Sequence, residues 1–330
     1  MVEKLANLDI FGIVLILCAV LCYLLALQRA GITYNWRSPI VIGLLCASVI
    51  FFLIFAALQS WLGERAMLVS RLLKDRTIWA GMIFIFFLAA SSWIFVFYMP
   101  IYFQTIDGVS AGNSGVRTIP TVLSMTIGTV IAGGVISAVG QHIPLMILSG
   151  VLNTVGSGLL YTLDIGTGHA KWIGYQTLAG IGFGLGIQIP TIAAQALMPP
   201  EDISSATGMI LFAQTLGGSL AISAAQSILT NTMVKSLAIN APSVTPIKVI
   251  FTGATDLQST FTADELPGIL RAYMDGLKNA FILAIAMGAM TLAAAFLNKW
   301  HDLKAINAAK ELAEDNSTKT SKEGSGQLPA

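Results

Sequence analysis

Eight separate stretches of this chain are apolar for long enough to cross a lipid bilayer, and no other feature limits its fold as strongly. A helix needs about 20 mostly apolar residues to span the hydrocarbon layer, because backbone groups left unpaired in lipid are costly. The stretches are 10–27, 40–58, 78–102, 116–139, 145–163, 172–196, 206–229 and 277–297. The first invites comparison with a secretion signal. Its charge-free run is longer than the roughly 7–15 residues of such a signal and no small-x-small cleavage site follows, so it reads as a span. The expected fold class is an all-α membrane protein with eight spans.

The supply of charge agrees. Only 11% of the 330 residues are charged and 55% are apolar, with mean hydropathy +0.77. The last 33 residues hold five basic and five acidic side chains, which leaves 25 charges for the preceding 297. That is too few to cover a water-facing surface. A net charge of +1 excludes nucleic-acid binding driven by charge. Cys18, Cys22 and Cys46 all lie in apolar runs without metal-ligand spacing and read as small packing residues. His142, His169 and His301 fall in loops with no partner at ligand spacing, so no metal and no cofactor are expected.

Both termini fall on one side of an eight-span chain. The loop between the second and third spans carries Arg65, Arg71, Lys74 and Arg76, and the tail adds Lys299, Lys304 and Lys310. Basic excess marks the cytoplasmic side, so both termini are expected there, and detection of a glycan at Asn316-Ser317-Thr318 would reverse that. Residues 1–59 read as two transmembrane helices and 60–77 as a cytoplasmic amphipathic segment, apolar at Trp61, Leu62, Met67, Leu68, Leu72 and Leu73, as an interfacial helix would be. Residues 78–297 read as a six-helix bundle with an outer loop at 230–276, and 298–330 as a disordered cytoplasmic tail. In the outer loop, Thr262 and Glu265 form a capping-box pattern. Leu266, Ile269, Leu270, Tyr273, Met274 and Leu277 then recur at helical spacing, as in a surface helix at the membrane boundary or, as the lesser alternative, a substrate-gating lid.

Spans three to five and six to eight read as two copies of one unit. The third span opens near Trp79 and closes with Pro100 and Gln104; the sixth opens with Trp172 and closes with Pro190 and Gln195. Gly128 and Gly133-Gly134 in the fourth span match Gly217-Gly218 in the seventh, and these glycines read as close-packing sites. A three-span unit places its second copy upside down, the build of one half of a major-facilitator carrier.

The chain resembles the C-terminal part of a fungal major-facilitator transporter of the fourteen-span drug:proton antiporter branch. The resemblance is carried by Leu8-Asp-Ile-Phe-Gly12, Leu24-Leu-Ala-Leu-Gln28, Tyr98-Met-Pro-Ile-Tyr-Phe-Gln104 and Ser114-Gly-Val-Arg117 with Pro120. Further on it is carried by Gly180-Ile-Gly-Phe-Gly184 with Gln188 and Pro190, and by Gln214-Thr-Leu-Gly-Gly218. It implies a six-helix bundle preceded by two extra helices, in the plasma membrane or, alternatively, the vacuolar membrane. It implies export of small apolar toxins or drugs powered by a proton gradient. The partners are the bilayer, a small hydrophobic substrate and an N-terminal half, separate or missing, because that half has no counterpart in these residues. A truncated, non-transporting remnant and an uptake carrier for a nutrient or metal chelate are the alternatives; with no nucleophile–base pair, an enzyme is not expected.

By resemblance, Tyr98, Phe103, Gln104 and Gln188 line a central cavity, and Gln214 faces the other half. The competing reading is that the amides hydrogen-bond between helices. Gly180, Gly182, Gly184 and Gly186 lie inside an apolar span, so they read as helix packing rather than a dinucleotide fingerprint. No charge lies deep in any span. Any proton-carrying acid is expected in the missing half, with Asp107, Asp164 and Glu201 as loop-level candidates. Arg117 reads as snorkelling to lipid headgroups, or else as a contact for an anionic substrate.

Overall fold

The computed structural model describes residues 9–306, and eight of its helices, or coaxial helix pairs, are long and apolar enough to cross a membrane. They are α1 (Ile10–Arg29), α2 (Pro39–Leu62), α3 (Arg76–Thr105), the pair α4 (Ala111–Arg117) and α5 (Ile119–Val139), α6 (Ile143–Tyr161), the pair α7 (His169–Ile187) and α8 (Ile189–Leu197), α9 (Ile203–Asn240), and, beyond two short loop helices α10 (Pro246–Phe251) and α11 (Leu257–Thr260), α12 (Leu266–Ala295). Both helix pairs break two residues before a proline, at Thr118 before Pro120 and at Gln188 before Pro190. Proline lacks the N–H that would continue the ladder and disfavours α geometry in the residue before it. Pro100, by contrast, sits inside an unbroken α3.

The packing follows an exchange of two three-span units. The α5 helix packs on α7 as α9 packs on α3, α6 packs on α7 as α12 packs on α3, and α6 and α12 pack on each other. The glycines show why the backbones come so close. A β-carbon on Gly128 would lie 2.8 Å from the Ile181 carbonyl oxygen, and one on Gly217 would lie 2.3 Å from that of Phe86. Gly133 and Gly134 have open space beside them, so their expected packing role is not what the fold uses. On α7, added β-carbons at Gly180 and Gly184 would strike α5, and those at Gly182 and Gly186 would strike α6. The alternating glycines thus let α7 thread between two neighbours at backbone distance.

Helices α1 and α2 form a hairpin that leans on α9, where the Tyr23 hydroxyl donates to the Leu220 carbonyl at 3.2 Å. Asp9 caps α1 by accepting the Gly12 N–H at 2.7 Å, and it also takes a hydrogen bond from Gln59. Cys18 and Cys22 are half-buried, whereas Cys46 faces outward.

Three segments differ from expectation. Residues 60–77 do not form an interfacial helix. Gly63, at φ +61°, ends α2, two 3-10 turns follow, and Val69 and Leu72 bury while Arg71 reaches across to Asp202. The expected outer loop is much shorter. Helix α9 runs on to Asn240, and the apolar pattern around Ile269 to Leu277 is not a surface helix but the first turns of α12. These extensions hold each other through a Ser236–Asp275 hydrogen bond of 2.6 Å and a close approach of Gly268 to the Asn240 carbonyl. Glu265 does accept the Thr262 N–H, at 3.2 Å.

The start of the tail is docked rather than loose. The Leu303 N–H donates to the Gly140 carbonyl at 2.9 Å, Arg76 donates to the Leu297 carbonyl at 2.7 Å, and Leu303 is buried. Gly140 takes the left-handed backbone (φ +80°) needed to end α5 there. The rest of the expected disordered tail, including Asn316, lies outside the described residues. We call this end of the bundle, with 198–202 and 296–306, the tail end, and the opposite end the far end.

Candidate functional site

The third span supplies the site from its middle. Ser91 and Ser92 turn inward and are held by Asn153 of α6. The Asn153 amide donates to Ser91 at 2.8 Å and accepts from Ser92 at 3.0 Å, and Ser91 donates to the Ala284 carbonyl of α12 at 2.7 Å. All three polar side chains are fully buried and satisfied, so the knot fixes how α3 is turned. The next residue, Trp93, therefore points the other way and is 37% exposed.

Trp93 separates two hollows. On one side lies a cavity of about 230 Å³ bordered by Val96, Met99, Thr121, Met125 and Phe183, with the Phe183 ring edge-on to the indole at 6.1 Å. On the other lies a cleft of about 250 Å³ bordered by Gln214, Thr215, Gly218, Ser219 and Ile222. The Thr215 and Ser219 hydroxyls donate to carbonyls one turn back on α9, at 2.9 and 2.8 Å, and Thr121 donates to Gln176 at 2.7 Å. Their protons are committed. Among the described residues the Gln214 side chain bonds no protein group and is left to supply an amide. The face has the make-up of a small-molecule site, with rings and methionines and few polar groups. Among the described residues no three His, Cys, Asp or Glu side chains gather as metal ligands.

The five residues singled out from the sequence are not brought together. Gln214 borders the cleft. Tyr98 is buried under α9, its hydroxyl within 3.2 Å of the Ile222 carbonyl and 3.1 Å of Gln226 Oε1. Phe103 is buried near the far end, its ring 5.0 Å from that of Trp172. Gln104 is half-buried and donates to Ser114 at 3.3 Å, whose hydroxyl donates to the Pro100 carbonyl. Gln188 is exposed at the α7–α8 break. Trp93, Thr121 and Met125 were not picked from the sequence. The signal for Trp93 was the polar step Ser91-Ser92 inside an otherwise apolar span, which sets the direction of its neighbour.

The charges stand at the two ends. Arg117 does not snorkel: it pairs with Asp107, and its guanidinium lies 5.5 Å from the Phe103 ring centre and 6.0 Å from that of Trp172. Burial raises the Asp107 carboxyl, against the pull of Arg117. Asp164 is partly desolvated, but its hydrogen bond from Lys278 at 2.7 Å and nearby Arg271 leave it below the usual range. At the tail end, Asp202 is held down by a two-pronged hydrogen bond from Arg71, at 2.7 and 2.8 Å. Glu201 is exposed.

The sequence profile of the Major Facilitator Superfamily matches residues 10–222. The chain belongs to the major facilitator superfamily. It is 43% identical over 301 residues to the MFS-type transporter grgE of Penicillium sp, covering 91% of this chain and 53% of that protein. It is 36% identical to the efflux pump roqT of Penicillium rubens, covering 92% of this chain and 56% of that one. The chain thus spans about half the length of the curated relatives it matches. Among solved structures, a bacterial homologue of the human lysosomal transporter Spinster, inward-facing and occupied, superposes with a TM-score of 0.54 at 16% identity. The superposition covers 81% of this chain and 59% of that one, and it shows a shared fold. The chain is thus an integral, multi-pass membrane protein of this superfamily, with its eight spans and inverted units.

Proposed function

We propose that the chain is the C-terminal part of a carrier that exports small apolar toxins or drugs in exchange for protons, with no enzymatic step. The observation that carries this reading is the Trp93 face, which offers an apolar hollow on one side and, on the other, a mixed cleft with an unbonded amide, on a bundle whose relatives include named efflux pumps. Rocking of two halves around a midplane site requires a second half, and Trp93 and Gln214 form this half's share of the wall. Gln188, exposed at the helix break, is a further polar contact this half can offer, and Tyr98 backs the wall through the Ile222 carbonyl, while Phe103 and Gln104 hold the far end.

The proton-carrying acid belongs to the other half, because Asp107, Asp164 and Glu201 all stand at the bundle ends rather than near Trp93. Both termini lie in the cytoplasm, and the membrane is the plasma membrane.

The test joins this chain to the N-terminal half of a 43%-identical relative in cells lacking their own pumps. Export of a fluorescent apolar drug, collapsing with the proton gradient and weakened several-fold at low drug concentration in Trp93→Ala, is the expected result. Export undiminished in Trp93→Ala would remove the site. Cells lacking the gene that fail to import a nutrient yet keep normal toxin tolerance would replace export with uptake.

A further inference from the structure

A third hollow, of different character, lies at the far end, between the extensions of α9 and α12. Helix α9 has 38 residues, about 57 Å, nearly twice the hydrocarbon thickness, so its last turns stand at the depth of lipid headgroups. There Lys235, Ser236 and Asn240 of α9 face Arg271, Lys278 and Asn279 of α12 across a cleft of about 540 Å³. Three cations meet two carboxylates. Asp164 takes Lys278 at 2.7 Å and Arg271 at 3.5 Å, and Asp275 takes Arg271 at 3.4 Å. Among the described residues Lys235 has no acidic partner, so one positive charge is left uncompensated at the mouth.

The surroundings fix the depth and the kind of occupant. Lys235 also borders a neighbouring cleft that contains Tyr34 and Trp36, the latter donating to Asn231 at 3.2 Å. Amphipathic rings of this type collect at the membrane–water boundary. Ile239, 81% exposed, stands beside the polar cleft and offers a surface for acyl chain rather than water. A phosphate with an attached greasy tail satisfies both.

We propose that this cleft binds a phosphate-bearing anion, supplied by the headgroup of an anionic lipid and anchored by Lys235 and Arg271. The site is separate from the Trp93 face and does not depend on the direction or substrate of transport.

The 330-residue chain is purified in detergent and offered equal amounts of phosphatidylglycerol and phosphatidylcholine, and retained lipid is counted by native mass spectrometry. Wild type is expected to retain phosphatidylglycerol in about five-fold preference, the size of one partly exposed charge pair. Lys235→Gln, at an exposed position without an ion pair, should remove the preference, and Lys235→Arg should keep it. Lys171→Gln, exposed at the same end but outside the cleft, should leave it unchanged. Equal retention of the two lipids by wild type, or a preference that survives Lys235→Gln, overturns the site. Loss of the preference on adding inorganic phosphate would make a free anion the occupant and overturn the lipid assignment.

Discussion

The indole of Trp93 rests against Gly218 so closely that a β-carbon on that glycine would lie 2.7 Å from the ring. The glycine is the seat that lets the ring stand between the two hollows. Gly218→Ala is therefore expected to swing the indole into the α5 side and shrink the cavity there. Trp93→Phe should keep most substrate affinity, and Trp93→Ala should lower it roughly five-fold, about 1 kcal/mol of aromatic contact. Drug binding to the joined transporter, measured by equilibrium dialysis, decides this. Unchanged affinity in Trp93→Ala would count against the face.

The glycines of the two units separate into those that matter and those that do not. Gly128→Ala and Gly217→Ala force a methyl against a facing carbonyl and should each cost about 1–3 kcal/mol, seen as a lower melting temperature in detergent. Gly133→Ala and Gly134→Ala meet nothing and should be neutral or raise it, since alanine favours helix by up to about 1 kcal/mol.

Arg71 ties the segment after α2 to the start of α9 through Asp202, whose carboxyl lies below its usual range because of that contact. A carboxylate depressed in the folded state stabilises fully above its unfolded value, about 4, and loses that contribution as pH falls through the lower folded value. Thermal unfolding measured from pH 6 down to about 3 should show that acid-side loss in wild type, and a flatter profile in Asp202→Asn. Identical profiles would mean the pair contributes nothing.

His142 is buried beside the docked tail, and burial, helped by the charge of His301, pushes it down to about 4 against the pull of a backbone contact at His301. An unfolded chain takes up that proton near 6.5, so between the two values only the unfolded state is charged. Stability is full above about 6.5 and falls as pH drops toward 4, by as much as ~3 kcal/mol. Hydrogen exchange at the Leu303 amide should quicken over that interval relative to neighbouring helices. His142→Phe should abolish the change, and a change that persists would point to another group.

The spans and the inverted build were legible in the sequence because lipid demands long apolar runs and a repeated unit repeats its prolines and glycines. The ends were not. The last turns of α9 and the first of α12 are polar, so an apolar-run criterion cuts them short, although Ser236 and Asp275 join them. Arg117 looked like a headgroup contact because its partners, Asp107, Phe103 and Trp172, come from elsewhere in the chain. Of the candidate site, Gln214 was visible as an amide out of place in an apolar run. Tyr98 and Gln104 gave the same signal and turned out to be bonded within the bundle. Polarity in a span marks a group that needs a partner; only the fold says whether the protein already provides it.

The glycine-lined α7 is a shaft without teeth on the two flanks that touch α5 and α6. Smooth as it is, the shaft is latched: Ser149 donates to the Gly182 carbonyl at 2.6 Å, Thr129 to the Gly184 carbonyl at 3.1 Å and Thr121 to Gln176 at 2.7 Å. Any turn of this rod between its neighbours has to release those latches first.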